Sequence, residues 1–225
     1  ISMVLTLVVL LTCQGQTLTL FSVSPGFTFA LGVDSLSVVF GMLVSILWVF
    51  TTFYAFGYMT HEGGEVKFFT YFTMAMGVSV GLALSVNPLT LYLFYELLTF
   101  ITFPLVVHAG TEEAIAAGRK YLAYSIAGAT LGLISLAGVI GLSGAGDTAF
   151  VLGGVLDPGA AQGFTAILQL LYFVGFLGFG VKAAVFPRHG WLPSAYVAPT
   201  PVTALLHAVA VVKAGIFGII RLTYY

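Results

Sequence analysis

Three ionisable side chains lie deep in apolar sequence: Lys182 in GFLGFGVKAAVFP, Glu96 in LTLYLFYELLTFITF and Lys213 in LLHAVAVVKAGIFGII. A charge at the centre of a bilayer costs about 2.5–3.5 kcal/mol on insertion scales, so such residues face a partner or a hydrated path. Opposite signs on separate apolar runs partly neutralise one another, and the three together would form a polar axis through hydrocarbon. The chemistry that suits such an axis is ion or proton movement. A structural ion pair pinning two helices is the competing explanation for Glu96 and Lys182.

Composition supports a membrane setting and removes most other functions. The chain is 60% hydrophobic and 7% charged, with a mean hydropathy of +1.10, where soluble domains carry about 25% charged residues. A net charge of −1 and the lack of any basic run speak against nucleic-acid binding. Cys13 is the single cysteine, which leaves no intrachain disulfide and no cysteine-built metal or iron–sulfur site. There is no Gly-rich nucleotide loop and no His/Glu metal spacing. No cofactor and no metal is therefore expected in the chain, and no redox or hydrolytic centre. A membrane enzyme such as a lipid transferase would need a nucleophile or metal cluster at an interface, and the sequence offers none.

The elements that must position these charges follow from length and breakers. About twelve apolar residues open the chain before Gln14, too few for a crossing of about 20. Residues 1–13 read as the tail of a helix whose start lies outside the sequence, and the chain as a piece of a longer protein. Residues 14–33 alternate about Ser24-Pro25-Gly26, which suggests a short extramembrane hairpin. Six spans follow, at about 34–56, 68–86, 89–107, 118–142, 164–195 and 202–223, with Asp34 as the first N-cap and Asn87-Pro88 as a stop. Loop charges orient them. Lys67, Arg119, Lys120 and Arg188 fall on one side and Arg221 on the other, so the first group is cytoplasmic.

The span at 164–195 is too long for one straight crossing. At 1.5 Å per residue a continuous helix from Phe164 would carry Lys182 towards the cytoplasmic surface. Gly175, Gly178 and Gly180 before the lysine and Pro187 after it predict instead a helix that breaks near Lys182 and resumes, the kind that builds ion sites in transporters. The three glycines serve close packing or unwinding equally well. Arg188 and His189 either line a cytoplasmic entry or sit at the interface. His108 is expected at the membrane surface, with His61, Glu62 and Glu65 solvated, Glu112 and Glu113 in an acidic first helical turn, and Phe68, Phe69, Tyr71 and Phe72 as packing or belt aromatics.

The stretch Lys182–Gly215 resembles a known family: the antiporter-like membrane subunits of respiratory complex I, Mrp-type sodium/proton antiporters and membrane-bound energy-converting hydrogenases. The pattern is Lys182, Pro187, Trp191-Leu192-Pro193, Ala198–Val202 and Leu206-His207-Ala208, with FYELLTF around Glu96 and DSLS at Asp34. The resemblance implies an all-α polytopic helix bundle with about fourteen spans and two inverted five-helix repeats, each with a broken helix. This chain would supply the first repeat, over residues 68–225.

Residue by residue, the resemblance makes Glu96 the partner of the broken-helix Lys182, and places His207 and Lys213 on the continuation of a proton path. A neighbouring carboxylate favours a charged lysine and desolvation a neutral one, so moving Glu96 or Lys213 would tip Lys182 between holding and releasing a proton. His207 titrates near neutrality and can relay. The implied protein is a proton-translocating subunit, with exchange for sodium as a variant. It would sit in the inner or plasma membrane among the other membrane subunits of a complex I, Mrp or hydrogenase assembly, without a catalytic centre of its own. A transport-inactive scaffold with the same fold is the alternative.

Overall fold

A computed structural model describes residues 2–24, 27–143, 149–154, 162–205 and 209–225. The Pro25-Gly26 turn and His207 lie outside the described residues. Five described helices are long and apolar enough to cross a bilayer: α2 Ser35–Glu62, α3 Glu65–Ala83, α4 Pro88–Val106, α5 Glu112–Ser143 and α6 Thr165–Lys182. Before them stand the short helix α1 Ser2–Thr12 and an antiparallel hairpin, β1 Thr17–Ser24 with β2 Phe27–Gly32, in the register Thr17 to Gly32 and Phe21 to Phe29. After α6 come α7 Trp191–Ser194, α8 Thr200–Ala204 and α9 Val211–Tyr224. The architecture is an all-α polytopic membrane bundle.

Capping explains most boundaries. The Asp34 carboxylate accepts from the Ser37 N–H at 2.8 Å and starts α2. Asn87 does the same for Thr90 at 2.8 Å, with Pro88 in the first helical position of α4. The sequence places the end of the first full span near 56, but α2 runs on to Glu62. Its stop is set by Gly63 and Gly64, whose positive φ of 77° and 68° turn the chain straight into α3. Similarly α5 starts at Glu112 rather than 118, because the Thr111 hydroxyl accepts from the Ala114 N–H at 3.1 Å.

Two spans differ more. The expected helix at 164–195 is continuous only to Lys182. Beyond it, single turns at Arg188–Gly190, Trp191–Ser194 and Ala195–Val197 replace a resumed helix. The expected span at 202–223 is not one regular helix among the described residues. Between α8 and α9 the Ala210 N–H reaches the Leu205 carbonyl at 2.8 Å, five residues back rather than four.

Glycines let α6 pack closely on α5 and α9. A Cβ on Gly178 would lie 2.6 Å from the Gly128 carbonyl of α5, and one on Gly175 would strike Leu222 of α9 at 2.7 Å. These two glycines therefore serve close approach, whereas a Cβ on Gly180 would meet Val185 at an ordinary 3.6 Å. At the α2–α3 end, Trp48, Phe68 and Phe72 are buried, with Phe72 stacked on Phe68 and tilted at 60° against Trp48. At the opposite end the hairpin is fastened to α4 and the turn before it. The Ala30 N–H donates to Thr90 Oγ1 at 3.0 Å, Asn87 Nδ2 to the Thr28 carbonyl at 2.8 Å, and the Gly32 N–H to the Leu84 carbonyl at 2.7 Å.

Candidate functional site: a buried lysine at a helix break

Lys182 is the last residue of α6 and is 1% exposed. The helix stops there by a specific backbone device. The Val185 N–H bonds the Gly180 carbonyl at 2.8 Å and the Ala184 N–H the Val181 carbonyl at 3.1 Å, with Ala184 in the left-handed region at φ 56°. This is the Schellman pattern, built on alanine where glycine is usual. The Val181 carbonyl accepts a second bond, from the buried Trp191 indole at 2.8 Å, so WLP closes the break from below. On the other side Gly215 of α9 lets two backbones meet: a Cβ there would lie 2.8 Å from the Lys182 carbonyl carbon.

Among the described residues, α4 seats the ammonium. Lys182 Nζ donates to the Tyr95 carbonyl at 2.6 Å and to Thr99 Oγ1 at 2.7 Å, and lies 3.5 Å from the centroid of the Tyr95 ring. Two short hydrogen bonds and a cation–π contact are strong compensation for a buried charge. Tyr95 is held in turn by Phe179 of α6, edge to face at 5.2 Å between centroids. Behind the seat, the Tyr121 hydroxyl and Thr102 Oγ1 are 2.7 Å apart, and the Tyr121 ring packs on Trp191 at 5.2 Å. Still nearer the charged end of the bundle, Lys120 Nζ donates to Ser194 Oγ at 2.9 Å.

Glu96 follows Tyr95 directly and is half-buried, so the structure brings it to the same site as Lys182. It does not place the two in contact. The ion pair within 4.0 Å among the described residues is Asp34–Arg221, and Glu96 Oε1 is buried with no hydrogen-bond partner there. Lys213 lies in the first turn of α9 and is half-buried. Arg188 and His189 are exposed in the loop below the break, with the His189 ring stacked on Phe186 at 5.7 Å. His108 Nε2 is 3.1 Å from the Gly63 carbonyl, and His61, Glu62, Glu65, Glu112 and Glu113 are exposed. Among the described residues no group of three His, Cys, Asp or Glu side chains is arranged to hold a metal.

Sequence reasoning missed two sets of residues. Thr99 and the Tyr95 carbonyl were hidden in an apolar helix, although the hydroxyl one turn after Tyr95 is a legible polar mark on that face. Arg221 was read only as a loop charge. It is 1% exposed and donates from Nη1 and Nη2 to the two Asp34 carboxylate oxygens, while Phe150, Phe217 and Tyr225 surround the guanidinium at 4.9, 5.0 and 4.5 Å. Burial alone would raise the Asp34 carboxyl, but the Arg221 hydrogen bonds and those from Ser37 outweigh it and hold it below the ordinary carboxylate value.

Residues 85–225 match the protein family described as NADH:quinone oxidoreductase/Mrp antiporter, transmembrane. The Na(+)/H(+) antiporter subunit A1 of Staphylococcus haemolyticus is 33% identical over 199 residues, covering 88% of this chain and 24% of that protein. NAD(P)H-quinone oxidoreductase chain 5 of Synechocystis sp. is 31% identical over 194 residues, covering 84% of this chain and 28% of that protein. In the Mrp complex from Dietzia sp., one chain shares 26% identity and a TM-score of 0.81 over 98% of this chain and 24% of its own length. The archaeal membrane-bound sulfane sulfur reductase gives a TM-score of 0.75 at 20% identity, covering 96% of this chain and 44% of the other, a likeness of fold alone.

Proposed function

The chain belongs to the NADH:quinone oxidoreductase/Mrp antiporter family of membrane proteins, and from that premise we propose that it conducts protons within a multisubunit energy-converting complex. It is a multi-pass, antiporter-like membrane subunit. Exchange for sodium is the variant that relatives named as Na(+)/H(+) antiporter subunits support, while another relative is named as a probable K(+)/H(+) antiporter subunit. The partners are the other membrane subunits of such an assembly, in the plasma membrane. The driving force comes from redox chemistry in partner subunits or from an opposing ion gradient.

The observation that carries this reading is the buried Lys182 ammonium at a helix break, beside a carboxylate that it does not touch. A lysine held by a carbonyl, a hydroxyl and a ring face can lose its proton without leaving a paired carboxylate uncompensated. In this scheme Lys182 holds the proton, Glu96 biases it, and His207 and Lys213 carry the path onward. Arg188 and His189, exposed below the break, are the proposed proton entry, which their exposure supports.

One observation favours the rival: the seat of Lys182 is fully satisfied, as it would be in a transport-inactive scaffold. Proton uptake into proteoliposomes holding the intact parent complex separates the two. Lys182→Ala at equal assembly is expected to lose pumping. Pumping at the wild-type rate would make the buried charge structural and establish the scaffold.

A further inference from the structure

We propose that Thr99 is a positioning residue that seats the Lys182 ammonium away from the Glu96 carboxylate; the idea rests on Lys182 being the proton-handling residue. Within one turn, α4 presents three acceptors near the lysine: the Tyr95 carbonyl, Glu96 and Thr99. In a low-dielectric interior the carboxylate should attract the ammonium most strongly. The ammonium nevertheless lies on Thr99 Oγ1 at 2.7 Å and the Tyr95 carbonyl at 2.6 Å. Thr99 is 0% exposed, so water does not compete for its hydroxyl.

Among the described residues, the hydroxyls of Thr102 and Tyr121 are already engaged. Thr102 Oγ1 and the Tyr121 hydroxyl bond each other, and Thr102 also donates to the Leu98 carbonyl at 2.6 Å. The Tyr95 carbonyl accepts one proton, and the Tyr95 ring offers only a face. Thr99 therefore supplies the side-chain hydrogen bond that makes a neutral seat sufficient. Without it, the strongest remaining acceptor for the ammonium is Glu96. Among the described residues, the titratable and charged groups around Lys182 are Tyr95 and Glu96 from α4 and Tyr121 from α5, with Lys213 on α9 in the turn before Gly215.

The test is the pH dependence of proton translocation by the intact parent complex in proteoliposomes. Thr99→Val keeps the shape and removes the hydroxyl. The lysine then moves to the carboxylate and holds its proton more tightly, so the profile shifts to alkaline pH by about one unit. Thr99→Ser restores the seat and returns the wild-type profile, and Glu96→Gln in the Thr99→Val background cancels the shift. An unshifted or acid-shifted Thr99→Val profile overturns the proposal, as does an alkaline shift that survives Glu96→Gln. Should the valine variant fail to assemble, Thr99→Ala is expected to give the same alkaline shift, and Thr99→Ser, which keeps the oxygen, still decides: a shifted serine profile refutes the seat. Lys182→Ala run alongside separates the two levels. Wild-type pumping in that variant removes the underlying reading whatever Thr99 does.

Discussion

Asp34 has two tasks, and only one of them is local. Its cap on Ser37 lies three residues away, while its pairing with Arg221 spans 187 residues of sequence. The cap was legible from DSLS; the ion pair was not, because nothing in a sequence specifies which distant charge faces an N-cap. Since the Asp34 carboxyl is depressed in the folded state, its contribution is fully present above the ordinary carboxylate value and is lost as pH falls through the lower, folded value. Stability in detergent, followed by the fluorescence of Trp48 and Trp191, is expected to be flat in this contribution from about pH 5 to 8 and to fall below about pH 4. Asp34→Asn should abolish that acid-side slope. Its cost at neutral pH should lie at or below the low end of the roughly 3–5 kcal/mol seen for breaking buried pairs, because Asp34 is 36% exposed and solvent screens it.

At the scale of elements, the break was legible and its cause was not. Excess length, three glycines and Pro187 predict an interruption near Lys182, and α6 does end there. Two of those glycines are used elsewhere: Gly175 and Gly178 let α6 approach its neighbours. The stop is made by Ala184 at φ 56°, a residue that carries no turn signal. An L-residue in this conformation costs about 1–2 kcal/mol relative to a favourable one. Ala184→Gly is therefore expected to raise the stability of the parent protein by about 1 kcal/mol, measured by denaturation in mixed micelles; no gain would mean that the turn relaxes elsewhere. The five-residue reach of the Ala210 N–H to the Leu205 carbonyl was equally hidden, since LLHAVAVV reads as uninterrupted helix.

For the whole molecule, composition and loop charge already establish a bundle with unlike ends. One end carries Lys67, Arg119, Lys120 and Arg188. The other carries the hairpin and the Asp34–Arg221 pair. With Cys13 replaced by serine, a cysteine at exposed Glu65 is expected to react with a membrane-impermeant maleimide only from the cytoplasmic side, and one at exposed Thr17 only from the opposite side; reversed labelling would invert the topology. The hairpin at that far end has a mechanical consequence. Because Ala30 and Thr28 fasten it to Thr90 and Asn87, and Gly32 to Leu84 in the turn before, α4 is braced at its root. If Lys182 handles the proton as proposed, Thr99 and Glu96, the two side chains between which it would choose, are mounted on this braced helix one turn apart. The stroke would then be the swing of a single side chain, with no helix required to slide.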